Sequence, residues 1–184
     1  MTLNDIELAI AAVDAGAAVV RAMYGGQLTQ FERSPTDFAT DADVEAERVI
    51  LNLLRAARPD DQLVGEESGT SADGASGRTW LVDPLCGTLN YAAQTPLVAV
   101  NVALRINGQI TAAVSADPFS RELFWTDGTR GCLRLDHAWI TPETVDAAAA
   151  RSTAQRLTQL PVAHLLPGRG KPVHHSHVWA SKRG

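Results

Sequence analysis

Between Val98 and Ala116 apolar and small or polar residues alternate almost without interruption, and this stretch limits the fold more than any other. Val98, Val100, Val102, Leu104 and Ile106 occupy one set of positions and Ala99, Asn101, Ala103 and Arg105 the other. After Asn107-Gly108, the strongest short hairpin signal, Ile110, Ala112, Val114 and Ala116 resume the alternation. A period of two requires strands with one face buried, and the two-residue turn makes the pair antiparallel. Leu123 to Thr126, after an Asp117-Pro118 turn, extends the meander, which Asp127-Gly128 is expected to close.

Helices must cover the apolar face. Asn4 with Glu7 resembles a capping pair, and Leu3, Ile6, Ile10, Val13, Ala17 and Val20 recur at helical spacing up to Gly25-Gly26. Thr40 can cap a second helix with Asp43 in its first turn, followed by Val44, Val49, Ile50, Leu53 and Leu54 until Arg58-Pro59-Asp60. Gln62 to Val64 and Thr79 to Val82 read as short strands joined by a Gly- and Ser-rich segment, Ser68 to Gly77, expected to be a mobile loop beside the site. Pro142 after Thr141 predicts one more helix, alanine-rich, through Leu157, which would cover part of the sheet. The fold class predicted is α+β, helices packed on an antiparallel sheet.

The chemistry concentrates in Trp80-Leu81-Val82-Asp83-Pro84-Leu85-Cys86-Gly87-Thr88-Leu89-Asn90-Tyr91, with Gly65-Glu66-Glu67-Ser68 upstream. Pro84 is expected to end the strand, and Gly87-Thr88 to open a short helix whose amides face an anion. Hard cations such as Mg2+ take a few carboxylate oxygens together with water and phosphate oxygens, and Glu66 with Asp83 can begin to supply these. Metal-assisted phosphoryl transfer is the chemistry implied. Each residue also has a plainer reading. Asp83 before a proline suits a turn, Glu66 and Glu67 a solvated loop, Asp43 a favourable charge at a helix start, and Thr88 a helix-start hydroxyl. Cys86 suits a small buried apolar position.

Taken with Ser34-Pro35-Thr36-Asp37-Phe38-Ala39-Thr40-Asp41-Ala42-Asp43, these two segments resemble, in order and spacing, the N-terminal signature of the inositol monophosphatase family of Mg2+-dependent phosphatases. The likeness covers roughly Leu3 to Trp125 and fades after Gly128. It implies the N-terminal half of that family's layered fold. It also implies a first metal held by Glu66, Asp83 and the Leu85 carbonyl, with Glu67 outside the ligand shell. Asp43 and Thr88 would position and deprotonate the attacking water, so that Asp43, Thr88 and Glu66 form the catalytic set, and Gly87 and Thr88 would cradle the phosphate. The chain departs from the pattern at Cys86, where the family has a second aspartate, and a further metal-binding aspartate lies in the family's downstream half. A thiol is a soft donor and a poor Mg2+ ligand.

Mg2+-dependent hydrolysis of a phosphate monoester is therefore the expected function. A 3'-phosphoadenosine 5'-phosphate phosphatase is the enzymatic alternative, although Thr88-Leu89-Asn90-Tyr91 looks more like the inositol branch. A relative that binds metal and phosphate without turnover is the alternative of another class. An incomplete domain associating through its exposed sheet is a third.

At 184 residues and 45% hydrophobic content, one domain over 1–160 and a tail over 161–184 are expected. The tail holds four cations and no acid and is expected to be disordered, which leaves −9 of the net −5 on the body and argues against nucleic-acid binding. His174, His175 and His177 in that tail suit a transition metal or, more plainly, solvent. Two cysteines, no secretory leader pattern and no span of membrane length point to a cytoplasmic protein without membrane partners. A small phosphorylated substrate is the expected partner, and a homodimer is left open.

Overall fold

The computed structural model describes residues 3–34, 37–70, 74–135 and 138–140. The helix predicted from Pro142, the tail and its histidines lie outside the described residues.

Helix α1 (Asp5–Met23) begins where its cap requires. Asn4 Oδ1 accepts the Glu7 amide and Glu7 Oε2 accepts the Asn4 amide, both at 2.9 Å, satisfying two otherwise orphaned N–H groups. The buried stripe is Leu8, Ala9, Ala12, Val13, Gly16, Ala17 and Val20. It is rotated from the expected one: Leu3 is 44% exposed, and Ile6 and Ile10 are only partly buried. Small residues set this rotation, because α2 (Asp41–Ala57) crosses closely. A Cβ on Gly16 would lie 2.6 Å from Ile50 Cδ1, so a side chain there would force Ile50 to shift.

Before α2 comes a hairpin the sequence did not announce, β1 (Gln30–Ser34) with β2 (Asp37–Thr40), forming its own two-stranded sheet. It delivers Thr40 in an extended conformation to cap α2. The inward face of α2 carries Ala42, Asp43, Ala46, Glu47, Ile50, Leu51 and Leu54, whereas Val44 is 45% exposed. Two acids thus face inward one turn apart.

The main sheet comprises β3 (Gln62–Gly65), β4 (Gly69–Thr70), β5 (Arg78–Cys86), β6 (Ala99–Ile106), β7 (Gln109–Ala116), β8 (Leu123–Thr126), β9 (Gly131–Leu135) and β10 (Ala138–Ile140). Their order is β10-β9-β8-β7-β6-β5-β3-β4. The β6–β7 hairpin forms as expected, with Asn107 and Gly108 both at positive φ, 51° and 82°, as a two-residue turn between twisted strands needs. Trp80, Val82, Val100, Val102, Leu104, Ala112, Val114, Ala116 and Leu123 are buried beneath α1 and α2. The alternate residues line an open groove of about 620 Å³ on the other face.

Four expectations need correction. The sheet is mixed, because β3 and β5 run parallel, a pairing of segments that local pattern does not reveal. Strand β5 does not stop at Pro84 but continues to Cys86. Its register against β6 shifts between Asp83 and Cys86, and a proline without an N–H is accommodated at such an irregularity. The described ends of the Ser68–Gly77 segment are anchored rather than plain loop: Gly69 and Thr70 pair with β3, and Ser76 donates its amide to the Asp60 carbonyl and its hydroxyl to Asp61. Finally, the meander turns at Asp127–Gly128 and continues into β9, whose Arg134 forms a bidentate ion pair with Asp14 of α1.

Candidate metal and phosphate site

The parallel pairing of β3 and β5 builds the centre of the site. Val64 aligns with Leu81 and Gly65 with Val82, so Glu66 and Asp83, each the next residue along, emerge side by side. The Glu66 amide donates to the Val82 carbonyl at 3.1 Å and extends the pairing to that point. Asp83 faces Asn101 of β6 across the strand pair. Burial, and after it the neighbouring Glu66 carboxylate, push the Asp83 carboxyl up to about 6, against weaker opposing contacts from Cys86 and Asn101. Asp83 Oδ1 is buried without a hydrogen-bond partner.

These observations bear on whether a cation fits. An orphaned carboxylate oxygen and two repelling carboxylates both cost free energy, and a hard cation relieves both. Among the described residues no group of three or more His, Cys, Asp and Glu side chains could hold a metal ion. Mg2+ binds through one or two carboxylates plus water and phosphate oxygens. The Glu66 and Asp83 donors therefore fit such an ion.

The second half of the site is the junction of β5 with α3 (Thr88–Ala92). Gly87 takes φ 102° and ψ 37°, a left-handed conformation that turns the strand sharply into the helix and that residues with a Cβ rarely adopt. Thr88 Oγ1 donates to Asp43 Oδ1 at 2.8 Å and lies 3.2 Å from the Leu85 carbonyl oxygen. Asp43 is 2% exposed, and its Oδ2 accepts the Thr40 amide at 2.8 Å and the Thr40 hydroxyl. Burial raises the Asp43 carboxyl above its ordinary value, while donors from Thr40 and Thr88 pull it back. Tyr91 fixes the short helix by donating its hydroxyl to the Val20 carbonyl of α1 at 2.8 Å. Burial, with the charges of Asp43 and Asp41, pushes that phenol up to about 12, so it remains a neutral donor.

The structure thus brings Asp43 to Thr88 and Thr88 to Leu85, and separately Glu66 to Asp83. Cys86 is half-buried and outside any disulfide. Sequence reasoning missed Glu47, a 2% exposed carboxylate on α2 whose oxygens accept the Glu67 and Ser68 amides at 2.7 and 2.8 Å. The signal available was its spacing, four residues after Asp43 and hence on the same helical face.

Comparison with known proteins gives the family. The sequence profile of the inositol monophosphatase family matches residues 3–163. The chain belongs to that family. The match runs well past Gly128, where the motif likeness was expected to fade. An inositol-1-monophosphatase of Caulobacter vibrioides is 35% identical over 153 residues, which cover 81% of this chain and 56% of that protein. The Nus factor SuhB of Escherichia coli K12 is 38% identical over 100 residues, 54% of this chain and 37% of that protein. Among solved structures, the extragenic suppressor protein suhB of Bartonella henselae superposes with a TM-score of 0.66 at 32% identity, covering 68% of this chain and 50% of that one. The Thermotoga maritima IMPase shares the fold at 20% identity, with a TM-score of 0.64. The match spans between about a third and a little over half of the length of these relatives. The α+β architecture, helices on a sheet, is the one these family members have.

Proposed function

We propose that the site serves Mg2+-dependent hydrolysis of a small phosphate monoester, of the inositol monophosphate class. The observation that carries this reading is the orphaned, buried Asp83 Oδ1 beside Glu66, on the strand that leads through Leu85 to the Thr88 hydroxyl bonded to Asp43. Glu66, Asp83 and the Leu85 carbonyl would hold the cation, which when bound supplies positive charge to the phosphate oxygens and acidifies water.

The remaining work falls to the chain itself. Thr88 Oγ1 commits its proton to Asp43 and keeps lone pairs free, so it can accept a hydrogen bond from a water and orient it. As that water attacks phosphorus in line with the ester oxygen, the ester P–O bond breaks, the water's proton passes to Thr88 while the Thr88 proton passes to Asp43, and the departing alkoxide takes a proton from solvent to leave as the alcohol. Asp43 is suited to receive it because burial raises its carboxyl. The turn at Gly87 brings the backbone close to the phosphate without a side chain in the way. Phosphate release from inositol 1-phosphate and from 3'-phosphoadenosine 5'-phosphate, measured across a Mg2+ titration, tests the reading. Turnover that rises with Mg2+ and favours one ester supports it; a flat response to Mg2+ would sink it.

Cys86 favours a second reading, a relative that binds metal and phosphate with little turnover, because a thiol cannot neutralise charge on a leaving oxygen as a carboxylate-bound cation does. Replacing Cys86 by Asp is expected to raise the Mg2+-dependent rate, by as much as ~10²-fold if a whole transition-state contact is regained. An unchanged rate would mean that the thiol does not limit the chemistry.

A further inference from the structure

We propose that Glu47 is a positioning residue: its carboxylate clamps the turn that bears Glu66 to helix α2 and so sets where that ligand stands relative to Asp43 and Thr88. The inference rests on the function proposed above for its consequence, but not for its geometry.

Glu47 lies in the middle of α2's inward face and is buried to 2% exposure. A carboxylate there must be compensated. It is compensated by two consecutive backbone donors, with the Glu67 amide on Oε2 and the Ser68 amide on Oε1. These are the two amides just after Glu66, where the chain leaves β3 and turns back toward β4. Hydrogen bonds to an ionised acceptor are shorter and stronger than neutral ones, and one oxygen for each amide fixes the orientation of the turn as well as its distance.

Gly65 shows that turn and carboxylate share one space. A Cβ there would lie 2.4 Å from Glu47 Cδ and 2.5 Å from each carboxylate oxygen. The carboxylate therefore fills the volume in which residue 65 would otherwise carry a side chain. The sequence Gly65-Glu66-Glu67-Ser68 then has a physical division of labour: the glycine makes room, Glu67 and Ser68 lend their amides, and Glu66 is left to point its side chain toward Asp83.

Helix α2 consequently holds both parts of the site. Asp43 grips the β5–α3 junction through Thr88, and Glu47, one turn later, grips the end of β3. One rigid helix spaces the proton acceptor and the metal ligand. Neither role requires Glu47 to touch the cation, and residues that orient metal ligands typically change metal affinity 10- to 100-fold when replaced.

The test is Glu47→Gln, close in shape but uncharged and able to keep only one acceptor oxygen. Three quantities are read: Mg2+ or Mn2+ affinity by calorimetry, the half-saturating Mg2+ concentration against kcat, and amide exchange at Glu67 and Ser68. The expected result is a cooperative melt, a metal Kd raised about 10-fold or more, a kcat that largely recovers at saturating metal, and at least about 10-fold faster exchange at both amides. Asp61→Asn is the control for a merely structural loss, because Asp61 binds Ser76, Arg78 and Trp80 at the opposite end of β3 and β5 from the ligands. It should lower the melting temperature and leave the metal Kd in place.

A Glu47→Gln protein that melts lower yet binds metal like the parent would overturn the positioning role. If the parent itself binds no divalent cation, the proposed function fails, and exchange alone then decides the clamp, with unchanged exchange refuting it. Should the variant not fold, exchange in the parent decides: Glu67 and Ser68 amides open at the rate of unprotected loop amides would refute it too.

Discussion

Asp83→Asn should abolish Mg2+-dependent phosphate release, lowering it by ~10²- to 10³-fold or more, and should do so without destabilising the protein. The two halves of that expectation have separate causes. Asparagine removes the charge and one of the two oxygens that a hard cation requires, so affinity for Mg2+ falls. In the absence of cation, however, Asp83 is under electrostatic strain, buried and pushed up to about 6 by its surroundings and by Glu66. Neutralising it relieves that repulsion, so the melting temperature measured without Mg2+ should stay level or rise. Calorimetric Mg2+ titration and a thermal melt on the same sample check both halves. Untouched Mg2+ affinity would remove Asp83 from the metal site, and a large fall in melting temperature would mean that its role is structural.

The second large effect is on the fold. Trp80→Ala should cost about 3–5 kcal/mol, the range for emptying a large buried aromatic position. Trp80 has no exposed surface and is the largest of the fully buried side chains among the described residues. Its indole N–H also donates to Asp61 Oδ2 at 2.8 Å. Burial works to raise the Asp61 carboxyl, but the combined donors of Ser76, Arg78 and Trp80 outweigh it and hold that group below the usual carboxylate range. Against a total stability of ~5–15 kcal/mol for a domain, such a loss leaves little margin. Trp80→Phe separates the two contributions: it keeps most of the packing and forfeits the hydrogen bond, for about 1–2 kcal/mol. Urea unfolding of the three proteins gives the ranking, and a Trp80→Ala loss of under ~1 kcal/mol would contradict the packing argument.

Features governed by neighbouring residues were legible in the sequence. Asn4 and Thr40 marked the starts of α1 and α2 because capping is a contact over three residues, and Asn107-Gly108 marked its hairpin because positive φ is a local demand. The Asp43–Thr88 contact, given only by family resemblance, is present as a hydrogen bond. What escaped depends on distant partners. Glu47 stands in a Val44-Glu45-Ala46-Glu47-Arg48 run that reads as a solvated helix surface, and only the β3 turn makes its burial tolerable. In the same run Val44, the apolar residue, is the exposed one. The direction of β3 relative to β5 leaves no mark in either strand, and Pro84 stayed within β5 because the register irregularity there removes the need for its N–H. The Asp5–Arg78–Asp61 network joins residues up to 73 positions apart.

Because Glu66 and Asp83 meet through the in-step alignment of two parallel strands, their proximity depends on counting residues along β3 and β5, and not on the length of the connection between them. A residue gained or lost within either strand would turn every following side chain to the opposite face and separate the carboxylates. Residues gained or lost at the far side of the 66–77 connection leave the alignment intact. Evolution can therefore lengthen, shorten or redecorate that connection while the chemistry keeps its place.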